Sequence, residues 1–98
     1  MANPILHVRI ISPQQVILNT DAYAVSSKNL QGDFDILPQH ANFITLIENQ
    51  PIVIRVSKQK RFSFAFPLAI IWVVENQINI YIPIPYDQPQ STKLPSRL

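Results

Sequence analysis

Apolar and polar residues alternate with a period of two along most of the chain, and no stretch repeats at the spacing of a helix face. Leu6, Val8 and Ile10 alternate with His7, Arg9 and Ile11 in a first predicted strand. Ser12-Pro13-Gln14-Gln15 turns the chain into Val16-Ile17-Leu18, and Asn19-Thr20-Asp21 reads as a second turn before a strand from Ala22 to Ser27. Beyond a loop holding Gly32, Phe34–Leu37 forms a short strand stopped by Pro38. Asn42–Ile47 forms another, closed by Glu48-Asn49-Gln50-Pro51. Two hairpins follow. Ile52, Ile54 and Val56 pair with Phe62, Phe64 and Phe66 across Ser57–Arg61, and Leu68–Glu75 meets Ile78–Ile82 through Asn76-Gln77, a loop that wants left-handed backbone.

Short strands with regular turn spacing, about eight to ten of them, predict an all-β chain folded as a small β-sandwich. No internal repeat is visible. From Pro83 onward the character changes, because Pro83, Pro85, Pro89 and Pro95 leave no room for a helix. The expected organisation is a sandwich domain over residues 1–82 and an irregular, extended proline-rich C-terminal tail over 83–98.

Composition sharpens this picture at three points. With 98 residues, 47% hydrophobic and 14% charged, the chain suits one domain with a modest core and does not read as disordered. One glycine and nine prolines are unusual for a β-rich chain, so Asn, Gln and Asp must do much of the turning. Cysteine is absent, which excludes disulfides, thiolate metal sites and cysteine catalysis, and fits a reducing compartment. No basic n-region precedes the first apolar stretch, and the most apolar run, residues 62–74, is too short to span a bilayer, so a soluble protein is expected.

The candidate chemistry is thin. Asp33 and Asp35 flank Phe34 and would share one face of a strand, as an acid/base pair or half of a cation site would require. Alternation alone explains them as a solvated face opposite Phe34 and Ile36. His7 and His40 are the only imidazoles, too few for zinc without cysteine or a nearby His-Glu set. No strained nucleophile turn accompanies them, and one glycine cannot build a phosphate-cradling loop. Neither a catalytic residue nor a cofactor is expected. Arg55, Lys58, Lys60 and Arg61 form a local basic cluster, but the net charge of +2 does not by itself imply a polyanion partner. The run from Lys58 to Phe66 does mix cations with alternating aromatics, as single-strand nucleic-acid binders do. The strict alternation and the apolar partner strand favour core-facing phenylalanines after a solvated turn, with Trp72 read as packing in the same way.

Gly32-Asp33-Phe34-Asp35-Ile36-Leu37-Pro38-Gln39-His40-Ala41-Asn42 is the most informative segment. It resembles the Gly-x-x-Gly-x-x-Pro-Gly-His-Ala-Pro loop in the N-terminal β-sandwich of the F-type ATP synthase epsilon subunit. The opening Leu6-His7-Val8-Arg9-Ile10-Ile11-Ser12-Pro13 is similar to that family's first strand and turn. Phe43–Arg55 and Phe66–Val73 follow in the family's order, and the likeness covers about residues 5–82. Departures are marked: Gln39 stands for a glycine, Asn42 for a proline, Asp35 for a second loop glycine, and Leu68-Ala69 for a Gly-Gly pair.

The resemblance implies a rotor subunit of a proton- or sodium-driven ATP synthase that docks the gamma subunit to the c-ring and has no catalytic residue. It would be peripheral to the cytoplasmic face of a bacterial inner membrane, or to the equivalent face in an organelle. By position, Gln31, Asp33, His40 and Asn42 are expected to face the c-ring, and Pro67, Leu68, Ala69 and Ile70 the gamma subunit. The family's C-terminal helical hairpin, with its inhibitory and ATP-binding roles, is not expected from a proline-interrupted tail. No nucleic-acid partner is expected; the alternative is a free-standing single-strand nucleic-acid-binding β-domain.

Overall fold

The computed structural model describes residues 5–83, so the tail read from Pro83 onward lies almost wholly outside the described residues. Nine strands are present among them: β1 (Leu6–Ile11), β2 (Val16–Ala22), β3 (Ala24–Asn29), β4 (Gly32–Ile36), β5 (Phe43–Ile47), β6 (Pro51–Arg55), β7 (Arg61–Ala65), β8 (Ala69–Val74) and β9 (Gln77–Tyr81). They form two sheets packed face to face, one ordered β2-β1-β9-β8-β5 and the other β4-β3-β6-β7. The expected all-β sandwich is what the chain forms.

Alternation decides which residues fill the space between the sheets. Leu6, Val8 and Ile10 of β1, Ile71 and Val73 of β8, and Ile78 and Ile80 of β9 are fully buried from one side. Val25 of β3 and Ile52 and Ile54 of β6 close on them from the other. The first and last strands lie side by side in parallel, with His7 opposite Gln77 and Ile11 opposite Tyr81.

Three turns fall elsewhere than expected. The β6–β7 turn spans residues 56–60 rather than Ser57–Arg61, because Arg61 pairs with Arg55 and Ile54 with Phe62, leaving Val56 and Phe66 outside the ladder. Asn19-Thr20-Asp21 is not a turn; β2 runs through it, paired residue for residue with β1. An edge strand tolerates this polar triplet because only one of its faces meets the core, and Asp21 there accepts from His7 Nδ1 at 2.9 Å. The chain crosses between sheets at Tyr23 instead, whose N–H donates to the Arg55 carbonyl at 2.9 Å. The β8–β9 loop is Glu75-Asn76, one residue earlier than expected, because Val74 pairs with Gln77. Both loop residues are left-handed, with φ of 48° and 66°, as a two-residue loop between twisted strands demands.

Candidate functional site

The outer face of β5 and β8 is the least ordinary surface on the molecule. Ile44 lies directly opposite Trp72, and Leu46 opposite Ile70, on the side turned away from the core. Ile44 is 64% exposed, Leu46 and Trp72 47% each, and Val74 37%. Trp72, expected among the packed residues, therefore stands outside. Ala69-Ile70-Ile71-Trp72-Val73-Val74 is apolar at every position. Such a run describes a strand covered on both faces, yet this sheet is covered on one. Sequence reasoning missed Ile44, Leu46 and Val74 for that reason, since an unbroken apolar run does not say which parity points outward. The signal was the run itself.

The four residues expected to face the c-ring divide between the two ends of β4. Gln31 sits in the two-residue turn joining β3 to β4, and Asp33 is the second residue of β4, opposite Lys28. Asn29 fixes this tip: its side-chain oxygen accepts from Gln31 N–H at 2.8 Å, and its amide donates to Thr45 Oγ1 at 2.9 Å. Gly32 leaves the turn at φ 121°, where a side chain would find space but not a comfortable backbone. Leu30 projects beside Gln31 almost completely exposed.

His40 and Asn42 lie past the far end of β4, in the segment Leu37–Asn42 that carries the chain to the other sheet. Their side chains are occupied locally. Asn42 Oδ1 accepts from Glu75 N–H at 3.2 Å, and Asn76 Oδ1 accepts from Gln39 N–H at 2.6 Å, so loop and β8–β9 turn clasp each other. The His40 ring bonds through Nδ1 to the Ala41 carbonyl and meets Phe43 edge to face at 5.5 Å.

Of the residues expected to face gamma, Ile70 is half-buried and borders the exposed apolar strip opposite Leu46. Pro67 is exposed and Leu68 half-buried in the bend before β8, whereas Ala69 is wholly buried in the core.

Asp33 and Asp35 do share the solvent side of β4, and Ser26 Oγ donates to Asp35. No group of three or more His, Cys, Asp or Glu side chains converges to hold a metal among the described residues. The phenylalanines of the basic hairpin stack in a column, Phe62 on Phe64 at 6.4 Å and Phe64 on Phe66 at 5.6 Å. They pack against the core, while Arg61 alternates to the opposite side of the strand. Among the described residues only Lys60 reaches over a ring, 5.3 Å above Phe62.

A family model for the ATP synthase delta/epsilon chain β-sandwich domain matches residues 5–82. The chain belongs to that family. An ATP synthase epsilon chain from the chloroplast of Nephroselmis olivacea is 32% identical over 77 residues, covering 79% of this chain and 57% of the relative. One from Nitratiruptor is 29% identical over 72 residues, covering 74% of this chain and 56% of the relative. The chain thus spans little more than half the length of these curated relatives. The same fold occurs in the Tetrahymena thermophila mitochondrial ATP synthase central stalk and c-ring structure, with a TM-score of 0.67 at 18% identity over 80% of this chain and 63% of that one. It also occurs in the Euglena gracilis mitochondrial ATP synthase assembly with its c-ring, with a TM-score of 0.72 at 12% identity over 82% of this chain and 52% of that one.

Within the delta/epsilon family frame, the altered loop acquires a physical meaning. Gln39, which stands where the epsilon loop resemblance has a glycine, adopts φ 69°. Glycine meets this left-handed backbone most easily, and here a glutamine adopts it.

Proposed function

We propose that this chain is a non-catalytic rotor-stalk subunit of a proton- or sodium-translocating ATP synthase, joining the gamma subunit to the c-ring. The observation that carries this reading is the exposed strip of Ile44, Leu46, Trp72 and Val74, with half-buried Ile70 among them, on a sheet whose strand β8 is apolar on both sides. A partner seated there removes a contiguous apolar face from water at about 25 cal/mol per Å2, with Trp72 as central anchor. We assign this face to gamma; it takes in Ile70, and Pro67 and Leu68 lie at its margin, while buried Ala69 supports it from beneath.

The β3–β4 tip suits the polar loops of the c-ring. Leu30, Gln31 and Asp33 project there, and the Asp33 carboxylate has no cation within ion-pair distance among the described residues. His40 and Asn42, carried by the resemblance to the same c-ring contact, sit in the Leu37–Asn42 loop that also borders the gamma face. On this reading the domain is peripheral to the cytoplasmic face of a bacterial inner membrane, or to the equivalent face in an organelle.

Co-expression with the gamma subunit and c-ring of the same complex tests the assignment. Ile44→Glu with Trp72→Glu should reduce gamma capture at least tenfold while circular dichroism and melting temperature stay near those of the parent. Gln31→Ala with Asp33→Ala should leave gamma capture intact and weaken only c-ring association. Unchanged gamma capture by the folded glutamate variant would sink the proposal.

A further inference from the structure

The turn between β6 and β7 collects charge that the stalk role does not use. Arg55, Lys58, Lys60 and Arg61 supply half of the chain's eight basic residues, and no Asp or Glu occurs between Glu48 and Glu75. All four line one concavity of about 230 Å3, with the exposed Tyr23 side chain as its wall. No carboxylate lies within ion-pair distance of any of them among the described residues. Arg55 and Arg61 are direct cross-strand partners, a like-charge juxtaposition that opposes the pairing it sits in.

The frame beneath these cations is fixed. Val56 and Ser57 N–H groups both donate to the Lys60 carbonyl, and Ser57 Oγ accepts from the N–H groups of Gln59 and Lys60. Those amides are engaged within the turn, so any ligand is recognised by side-chain charge. Two guanidiniums side by side match the oxygens of a phosphate group in bidentate fashion, and flanking ammoniums add point charge. Tyr23, anchored by its N–H on the Arg55 carbonyl, offers a phenol and a ring face.

We propose that Tyr23, Arg55, Lys58, Lys60 and Arg61 form a binding site for a phosphate-bearing anion. Binding converts the Arg55–Arg61 repulsion into shared attraction. Arg55 pairs with Ala24 at one end of β3, whereas Asn29 pairs with Gly32 at the other, so the site lies at the opposite end of this sheet from the β3–β4 tip. If that tip meets the c-ring, as proposed above, the site faces away from the bilayer, which favours a soluble phosphate over a lipid headgroup. The site itself rests only on its own residues.

The test is a titration of the full chain with inorganic pyrophosphate at constant ionic strength, followed by backbone amide NMR. Saturable shifts confined to Tyr23 and residues 55–61 are expected. Arg55→Gln with Arg61→Gln should weaken binding at least tenfold without loss of folding, and Lys28→Gln should leave it unchanged. Shifts that fail to saturate, or an equal loss from Lys28→Gln, overturn the site as diffuse charge attraction. A second arm uses phosphatidylglycerol vesicles. Vesicle binding that pyrophosphate competes away and the double substitution abolishes supports the same site with a headgroup as its source. Vesicle binding untouched by the double substitution, with no pyrophosphate effect, overturns the proposal.

Discussion

Replacing Asn76 separates the two things its position does. Its backbone is left-handed at φ 66°, and its side-chain oxygen accepts from Gln39 N–H across the clasp at 2.6 Å. Asn76→Gly keeps the backbone comfortable and loses the bond. The freed amide is exposed and can turn to water, so that loss costs about 0.5–1 kcal/mol. Glycine adds a few tenths through unfolded-chain entropy and recovers a comparable amount of residual left-handed strain. Asn76→Ala loses the same bond and also forces a β-carbon into the left-handed region, at about 1–2 kcal/mol more. The alanine variant should therefore lie about 2 kcal/mol below the parent and the glycine variant less than about 1 kcal/mol below. For a domain this size, those figures correspond to falls of roughly 8–16 °C and under about 8 °C in Tm. Urea titration with thermal melts of the full chain reads both. An alanine variant as stable as the glycine variant would refute the argument, since the turn would then carry no backbone demand.

Two further substitutions probe the same structure. Gln39→Gly relieves a left-handed glutamine at φ 69° and should raise stability by about 0.5 kcal/mol, seen as a melting temperature higher by a few degrees. Ile80→Ala empties a fully buried position between β1 and β8 and should cost about 2–5 kcal/mol, enough to leave much of the population unfolded by circular dichroism at room temperature.

Local pattern carried much of the fold, and long-range geometry carried the rest. The alternation in Leu6–Ile10 and in Ile52–Ile54 with Phe62–Phe64 gave the strands and their inward faces, but not the hairpin register, since Ile54 lies opposite Phe62 and Ile52 opposite Phe64 with Val56 left in the turn. Asn19-Thr20-Asp21 misled because polarity marks a turn and an exposed edge equally well. The Glu75-Asn76 loop was displaced by one residue because glutamate is a poor left-handed residue and Asn76-Gln77 looked better. The shortage of glycine was legible: among the described residues, Gln39, Asn49, Glu75 and Asn76 take the positive φ that glycine usually takes, beside Gly32 itself. The site was harder. The segment from Gly32 to Asn42 reads as continuous text, but β4 uses its first five residues as rungs and so separates Gln31 and Asp33 from His40 and Asn42. Which strand borders which sheet edge is a property of the whole chain, and the exposed face of β5 and β8 follows from it.

The parallel pairing of β1 with β9 has a consequence during synthesis. His7 finds its neighbour only when Gln77 has been made, and at about 5–20 residues per second that delay is roughly 4–14 s. Through that interval β1 can hydrogen-bond only to β2, and its other edge stays unpaired. The nascent chain thus presents β1 long before its parallel neighbour exists and completes that side of the sheet last. A ribosome stalled short of β9 would display a sticky, unclosed sheet, the kind of surface that holding chaperones grip.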